Sequence, residues 1–106
     1  MGAFRKTAVQ RKMASKARAH VVVSGRVQGV YYRYATKEEA AMRGVKGWIR
    51  NLQDGRVEAV FEGEKSKVDE VVDFCHYGPP SAKVSSVEVT WEEYTGDFND
   101  FSIRYR

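Results

Sequence analysis

Nine consecutive residues, Gly25-Arg26-Val27-Gln28-Gly29-Val30-Tyr31-Tyr32-Arg33, have the types and spacing to bind an anion. Two glycines allow a tight backbone loop whose N–H groups can converge on one point. A helix starting just after the loop adds its own unpaired N–H groups and a positive dipole end. Arg33 then supplies a planar fork of donors that matches phosphate geometry. A cation is disfavoured at the start of a helix, so an arginine there points to a bound anion. Further along, Asn51 carries both an acceptor and a donor that do not titrate, the equipment needed to orient a water molecule.

Elements with recognisable periods must hold these groups. Residues 19–25 contain Val21-Val22-Val23 and stop at Gly25, which predicts a buried strand. Residues 33–43 predict a helix, with Tyr34, Ala35, Ala41 and Met42 at helical spacing and Gly44 as its stop. Thr36 with Glu39 offers a later start, but the earlier one keeps Arg33 in the first turn. Residues 45–52 and 56–62 flank Gln53-Asp54-Gly55, a hairpin signal. Ile49 and Asn51 share one face of the first of these strands. Ser66 and Asp69 form a candidate capping pair for a second helix, whose apolar stripe is Val68, Val71, Val72 and Cys75. Gly78-Pro79-Pro80 ends it. A strand over 83–93 places Val87, Val89 and Trp91 on one face, and a short one over 100–105 does so for Phe101, Ile103 and Tyr105. The order β-α-β-β-α-β plus a terminal strand predicts an α+β, ferredoxin-like split βαβ sandwich, an antiparallel sheet with both helices on one face.

Charge divides the chain in two. Residues 1–18 hold Arg5, Lys6, Arg11, Lys12, Lys16 and Arg18 and no acid, whereas the rest is slightly acidic. The net charge of +4 therefore says nothing about a basic face on the domain. Residues 1–18 read as a flexible basic extension and 19–106 as the folded domain. A solvated tail, an arm attracted to RNA or anionic surfaces, and a presequence are its three readings. No window matches a membrane span or a secretory signal, so a cytoplasmic protein without a membrane partner is expected. Cys75 is the single cysteine, which rules out an internal disulfide. With only Cys75, His20 and His76 available, no structural metal set is expected. Both histidines, without a visible partner, are expected to be structural or exposed. Trp48 and Trp91 read as packing residues, Gln28 as a solvated loop residue or a loop brace, and Lys83, Arg104 and Arg106 as solvated surface.

The Gly25–Arg33 stretch resembles the signature loop of the acylphosphatases. Gly47-Trp48-Ile49-Arg50-Asn51-Leu52-Gln53-Asp54-Gly55 is similar to that family's other signature. Gly78-Pro79-Pro80-Ser81-Ala82 and Phe101-Ser102-Ile103-Arg104-Tyr105 resemble its helix end and carboxyl terminus, so the likeness runs over residues 19–106 in register. The resemblance implies hydrolysis of the carboxyl–phosphate bond of acyl phosphates, with no metal, no cofactor and no covalent intermediate. It assigns phosphate binding to Arg33 and to the amides of Gln28, Gly29, Val30, Tyr31 and Tyr32, and the positioning of water to Asn51. It also implies a small-molecule substrate, such as acetyl or carbamoyl phosphate, and a monomer. Family members often carry a small residue where Tyr31 stands; a tyrosine at positive φ would be strained by roughly 1–2 kcal/mol.

Two other readings compete. RNA-recognition domains share the element order, but they carry an aromatic block on the third strand. Residues 56–62 here offer no stacking pair and two acids, which argues against a nucleic-acid partner. A phosphate- or carbamoyl-phosphate-binding module without turnover would keep the same cradle and differ in rate alone.

Overall fold

A computed structural model of the chain describes residues 15–105. Its elements follow the expected order: β1 (Lys16–Arg26), α1 (Tyr32–Met42), β2 (Lys46–Asn51), β3 (Val57–Glu64), α2 (Lys65–Cys75), β4 (Lys83–Glu92) and β5 (Phe101–Arg104). The strands form one five-stranded sheet in the order β4-β1-β3-β2-β5. Neighbours β4, β1, β3 and β2 pair antiparallel, the arrangement of a split βαβ sandwich. The terminal strand instead runs parallel to β2, so the sheet is mixed rather than wholly antiparallel.

Strand alternation sorts the side chains. Ala19, Val21 and Val23 on β1, Ile49 on β2, Val57, Ala59 and Phe61 on β3, and Phe101 on β5 all join one buried cluster. The helices close it from that side. All four members of the α2 stripe, Val68, Val71, Val72 and Cys75, are buried, as are Tyr32, Thr36 and Ala40 of α1. Burial drives the Cys75 thiol up to about 12, so the lone cysteine is an inert core residue. The end of α1 is a paired-bond cap: Gly44 N–H donates to Ala41 and Val45 N–H donates to Ala40.

The opposite sheet face is polar and internally matched. Glu58 receives both His20 and Arg50 at 2.7 Å. His20 therefore has a partner that its sequence neighbours do not reveal. Arg18 joins Glu62 and Glu92 at 3.1 and 2.8 Å. Trp48 lies against the guanidinium groups of Arg50 and Arg104, 5.5 and 4.8 Å from the ring centre.

Several local expectations are corrected. β1 begins at Lys16 rather than Ala19, because Lys16, Ala17 and Arg18 pair with Glu64, Gly63 and Glu62. The expected extension thus loses its last three residues to the sheet, and residues 1–14 lie outside the described ones. Ser66 and Asp69 do not cap α2: Glu64 is the N-cap, without a side-chain bond, and Asp69 binds Lys65. Tyr105 falls one residue beyond β5 and is exposed, whereas Phe101 faces the core. Trp91 is only half-buried, under the Lys65 ammonium at 4.4 Å.

Glu62 is the polar anchor of this frame. It is 2% exposed, yet accepts bonds from Arg18, from the Thr95 N–H and hydroxyl, and from the Gly96 N–H. Burial alone would raise its carboxyl; the donors from Thr95, Arg18 and Gly96 more than offset that and hold it below the ordinary range. Glu62→Gln is expected to lower stability by about 2 kcal/mol at neutral pH, because charge-assisted bonds are lost in a dry site. A depressed folded-state value makes the contribution full above about pH 5 and lost as the pH falls below about 4. Urea titrations of both proteins from pH 7 to pH 3 check this; a gap that stays constant on acidification contradicts it.

Candidate active site

The loop between β1 and α1 is held from three directions. Val27 and Val30 are buried in the core, 1% and 9% exposed. Between them, Gln28 is a brace: its side-chain N–H₂ donates to the carbonyls of Leu52 and Arg56, both at 2.8 Å. The two acceptors flank the β2–β3 turn, so this bond ties the loop to the residue following Asn51. Ser81 donates to the Val30 carbonyl at 2.9 Å, from the segment that follows α2. Tyr32, at the first position of α1, sends its hydroxyl to the Cys75 carbonyl at 2.7 Å. Burial pushes that phenol well above its ordinary value, so it is a structural donor at any physiological pH.

With the carbonyl and apolar groups engaged, the amides remain. No described residue accepts a bond from the backbone N–H groups of Gln28, Gly29, Val30 or Tyr31. The first N–H groups of a helix also lack intrahelical partners. The N-cap of α1 is Tyr31, with no side-chain cap bond and no acid in the first turn. Its φ of 70° and ψ of 13° are left-handed, and it is the only non-glycine with positive φ among the described residues. Gly29 has φ 73°, and a Cβ there would meet no atom within 4 Å, so glycine serves the turn and not a packing need.

Arg33 is the second residue of α1. It makes no ion pair among the described residues; its guanidinium lies against the Tyr105 ring, 5.3 Å from the centre. Val27, Gly29, Tyr31, Tyr32, Arg33 and Tyr34 enclose a pocket of about 180 Å³. Asn51, Leu52, Arg56 and Tyr105 line an adjoining open cleft. Tyr105 thus touches both parts, the Arg33 guanidinium on one side and the Asn51 cleft on the other.

Asn51 is the last residue of β2, paired with Val57 on the helix-facing side. Its Oδ1 is buried and accepts no bond from a described residue. An unmet buried acceptor costs about 1–3 kcal/mol, which a donor from water or substrate recovers. The carboxylate that lines the same cleft among the described residues is Asp54, which is tied to Arg56. The Arg56 N–H and guanidinium hold it below the usual carboxylate range, which makes it a poor base. No set of three His, Cys, Asp or Glu side chains gathers among the described residues.

All the residues singled out in the sequence reach this end of the sheet: Gln28 to Arg33 on the loop and first turn, Asn51 on the neighbouring strand end. Tyr34 and Tyr105 were not foreseen as part of it. Tyr34 stands three residues after Tyr31, one helical turn on, and that spacing was a usable signal. Tyr105 had none, because only the tertiary fold brings the chain end to Arg33.

The sandwich thus opens its first helix on a braced glycine loop, where unpaired amides and a guanidinium gather at one helix start. The acylphosphatase family model matches residues 19–103. An acylphosphatase of Pelotomaculum thermopropionicum is 56% identical over 91 residues, covering 86% of this chain and 99% of the relative. One of Rubrobacter xylanophilus is 58% identical over 87 residues, 82% of this chain and 79% of the relative. The crystal structure of acylphosphatase from Bacillus subtilis superposes with a TM-score of 0.81 at 37% identity, covering 84% of this chain and 99% of that one. The chain belongs to the acylphosphatase family, enzymes that hydrolyse acyl phosphates.

Tyr31 bears a local cost. The left-handed conformation disfavours a side chain by about 1–2 kcal/mol. Against this stand the smaller backbone entropy of a non-glycine in the unfolded chain and the stack on Tyr34, at 5.4 Å between ring centres. Tyr31→Gly is therefore expected to change stability by less than about 1 kcal/mol in either direction. Thermal melting checks this, and a loss of several kcal/mol contradicts it.

Proposed function

We propose that the loop amides from Gln28 to Tyr32 and the Arg33 guanidinium hold the phosphoryl group of an acyl phosphate while Asn51 orients the attacking water. The observation that carries this is the pairing of an uncapped helix start, whose amides lack acceptors, with a guanidinium that no described carboxylate neutralises. An acyl phosphate is a mixed anhydride with a good leaving group. Positioning and charge stabilisation therefore account for most of the work. Water attacks phosphorus, the bond from phosphorus to the acyl oxygen breaks, and the carboxylate departs. Amides and guanidinium stabilise the equatorial oxygens as charge redistributes. The unmet Oδ1 of Asn51 supports its role: it accepts a hydrogen bond from one O–H of the water, which stays on the oxygen, and so directs a lone pair toward phosphorus. With Asp54 engaged by Arg56 and no histidine lining the cleft, the water's second proton passes to a phosphoryl oxygen of the substrate.

We infer a monomer that acts in the cytoplasm on small acyl phosphates such as acetyl or carbamoyl phosphate. The apolar stripe of α2 is spent in the chain's own core, as are Tyr32, Thr36 and Ala40 of α1, which supports a monomer. The unpaired buried thiol and the lack of any described helix long and apolar enough to cross a membrane are compatible with the location.

The two side chains should separate kinetically. Arg33→Ala is expected to lower kcat/KM by about 100- to 1,000-fold and to weaken inhibition by inorganic phosphate in parallel. Asn51→Ala is expected to lower kcat by a similar factor while leaving the phosphate inhibition constant within about twofold. Hydrolysis of benzoyl phosphate with a chelator present, assayed with phosphate as competitor, measures both. Activity retained in both variants overturns the assignment, and phosphate binding without turnover in the wild type identifies a binding module.

A further inference from the structure

Three tyrosines surround Arg33, and all are largely in solvent: Tyr31 is 60% exposed, Tyr34 45% and Tyr105 73%. They are nevertheless organised against one another. Tyr31 and Tyr34 stack with their ring planes 19° apart. The hydroxyls of Tyr34 and Tyr105 lie 3.4 Å apart, and the Tyr105 ring covers the Arg33 guanidinium. Tyr31 and Tyr34 line the pocket at Arg33, whereas Tyr105 lines the cleft at Asn51. Together they make a continuous aromatic rail along the mouth shared by the two halves of the site.

The Tyr31 backbone sharpens the point. Glycine would take φ 70° without strain, and an exposed ring adds little to the core. A pocket of about 180 Å³ exceeds the size of a phosphoryl group, so it has room for part of the attached acyl group as well. An acyl group attached to a phosphoryl group held by the amides and Arg33 meets the Tyr31 and Tyr34 rings, which line the same pocket. A planar conjugated acyl group can lie offset on a tyrosine ring over most of its area. A two-carbon acyl group cannot.

We infer that Tyr31 and Tyr34, continued by Tyr105, form the acyl-recognition surface of this enzyme and favour acyl phosphates with a planar aromatic acyl group over short aliphatic ones. The inference rests on the phosphate cradle proposed above. In this arrangement the amides and Arg33 fix the phosphoryl end, and the rail selects what is attached to it.

The test is the ratio of kcat/KM for benzoyl phosphate to that for acetyl phosphate, measured on the full chain. Comparing variants cancels the intrinsic reactivity difference between the substrates. Tyr31→Gly keeps the backbone amide and the left-handed turn but removes the ring; Tyr34→Leu keeps apolar bulk but removes the plane. Each is expected to lower the ratio about tenfold, chiefly through KM for benzoyl phosphate, while Tyr31→Phe and Tyr34→Phe hold it within about twofold. An unchanged ratio in Tyr31→Gly and Tyr34→Leu, both shown to be folded by circular dichroism, overturns the inference. So does an equal loss on both substrates. A wild type inactive on both removes the cradle reading as well, whereas a wild type active on both with an insensitive ratio removes the acyl surface alone.

Discussion

The start of α1 is the constraint around which the molecule is arranged. A surface helix ordinarily begins on a side-chain cap and carries acids in its first turn. Here it begins on a left-handed tyrosine with neither, and places an arginine one residue further in. Unpaired amides, the positive end of the helix and a guanidinium all concentrate the same sign of charge. Each raises the energy of the empty site, and each is relieved by one anion. Strain and repulsion of this kind persist only where the surroundings hold them. Here the surroundings are the Gln28 bonds to Leu52 and Arg56, the Ser81 bond to Val30, and the Tyr32 bond to Cys75, which come from three different parts of the chain.

The rest of the charge distribution preserves that concentration. On the far face of the sheet, basic groups are matched: Arg50 and His20 on Glu58, Arg18 on Glu62 and Glu92. The Arg104 guanidinium lies on Trp48. Arg43 at the other end of α1 is shared by Glu39 and Glu70. Among the described residues, Arg33 is covered by an aromatic face instead of a carboxylate. An aromatic ring orients a guanidinium without neutralising it, so the charge stays available to a ligand. Tyr105 can thus fix the arginine and border the Asn51 cleft at once.

Features that depend on neighbours in the chain were legible in the sequence. The alternation of Val57, Ala59 and Phe61, the stripe from Val68 to Cys75, the Asp54-Gly55 turn and the Gly44 stop each follow from a local period or a backbone preference. Together they set the element order and the fold. What escaped was decided between distant segments. Lys16, Ala17 and Arg18 carry no strand signal of their own, yet the acidic end of β3 supplies a ladder for them. Ser66 and Asp69 have the spacing of a cap, but a lysine one turn before Asp69 competes for it. His20 and Glu58 are 38 residues apart, and only the β1–β3 register makes them neighbours. At the candidate site, the tight loop and the place of Arg33 in the first turn were readable because the paired glycines and the helix start are local features. Of the tyrosines beside it, Tyr34 was legible from its three-residue step after Tyr31, whereas Tyr105 reaches Arg33 only through the tertiary fold.

Asn51 shows how closely register and chemistry are joined. It lies at the end of β2, where a slip of one residue would move its carboxamide to the outer face beside Glu58 and bring Arg50 inward. The pattern of Ile49 opposite Ala59 resists such a slip, but a six-residue strand offers few such pairs. Gly47 adds a steric lock. A Cβ there would come within 1.9 Å of the Val60 carbonyl, so only glycine lets the β3 backbone approach this closely. Gly47 stands level with both Phe61 on β3 and Phe101 on β5, whose rings stack at 5.4 Å between centres. Any other residue of β2 brought to that position would drive its Cβ into the Val60 carbonyl and the Phe61 backbone. The placement of the Asn51 carboxamide at one end of β2 is therefore enforced by packing at the other, four residues away and outside the candidate site.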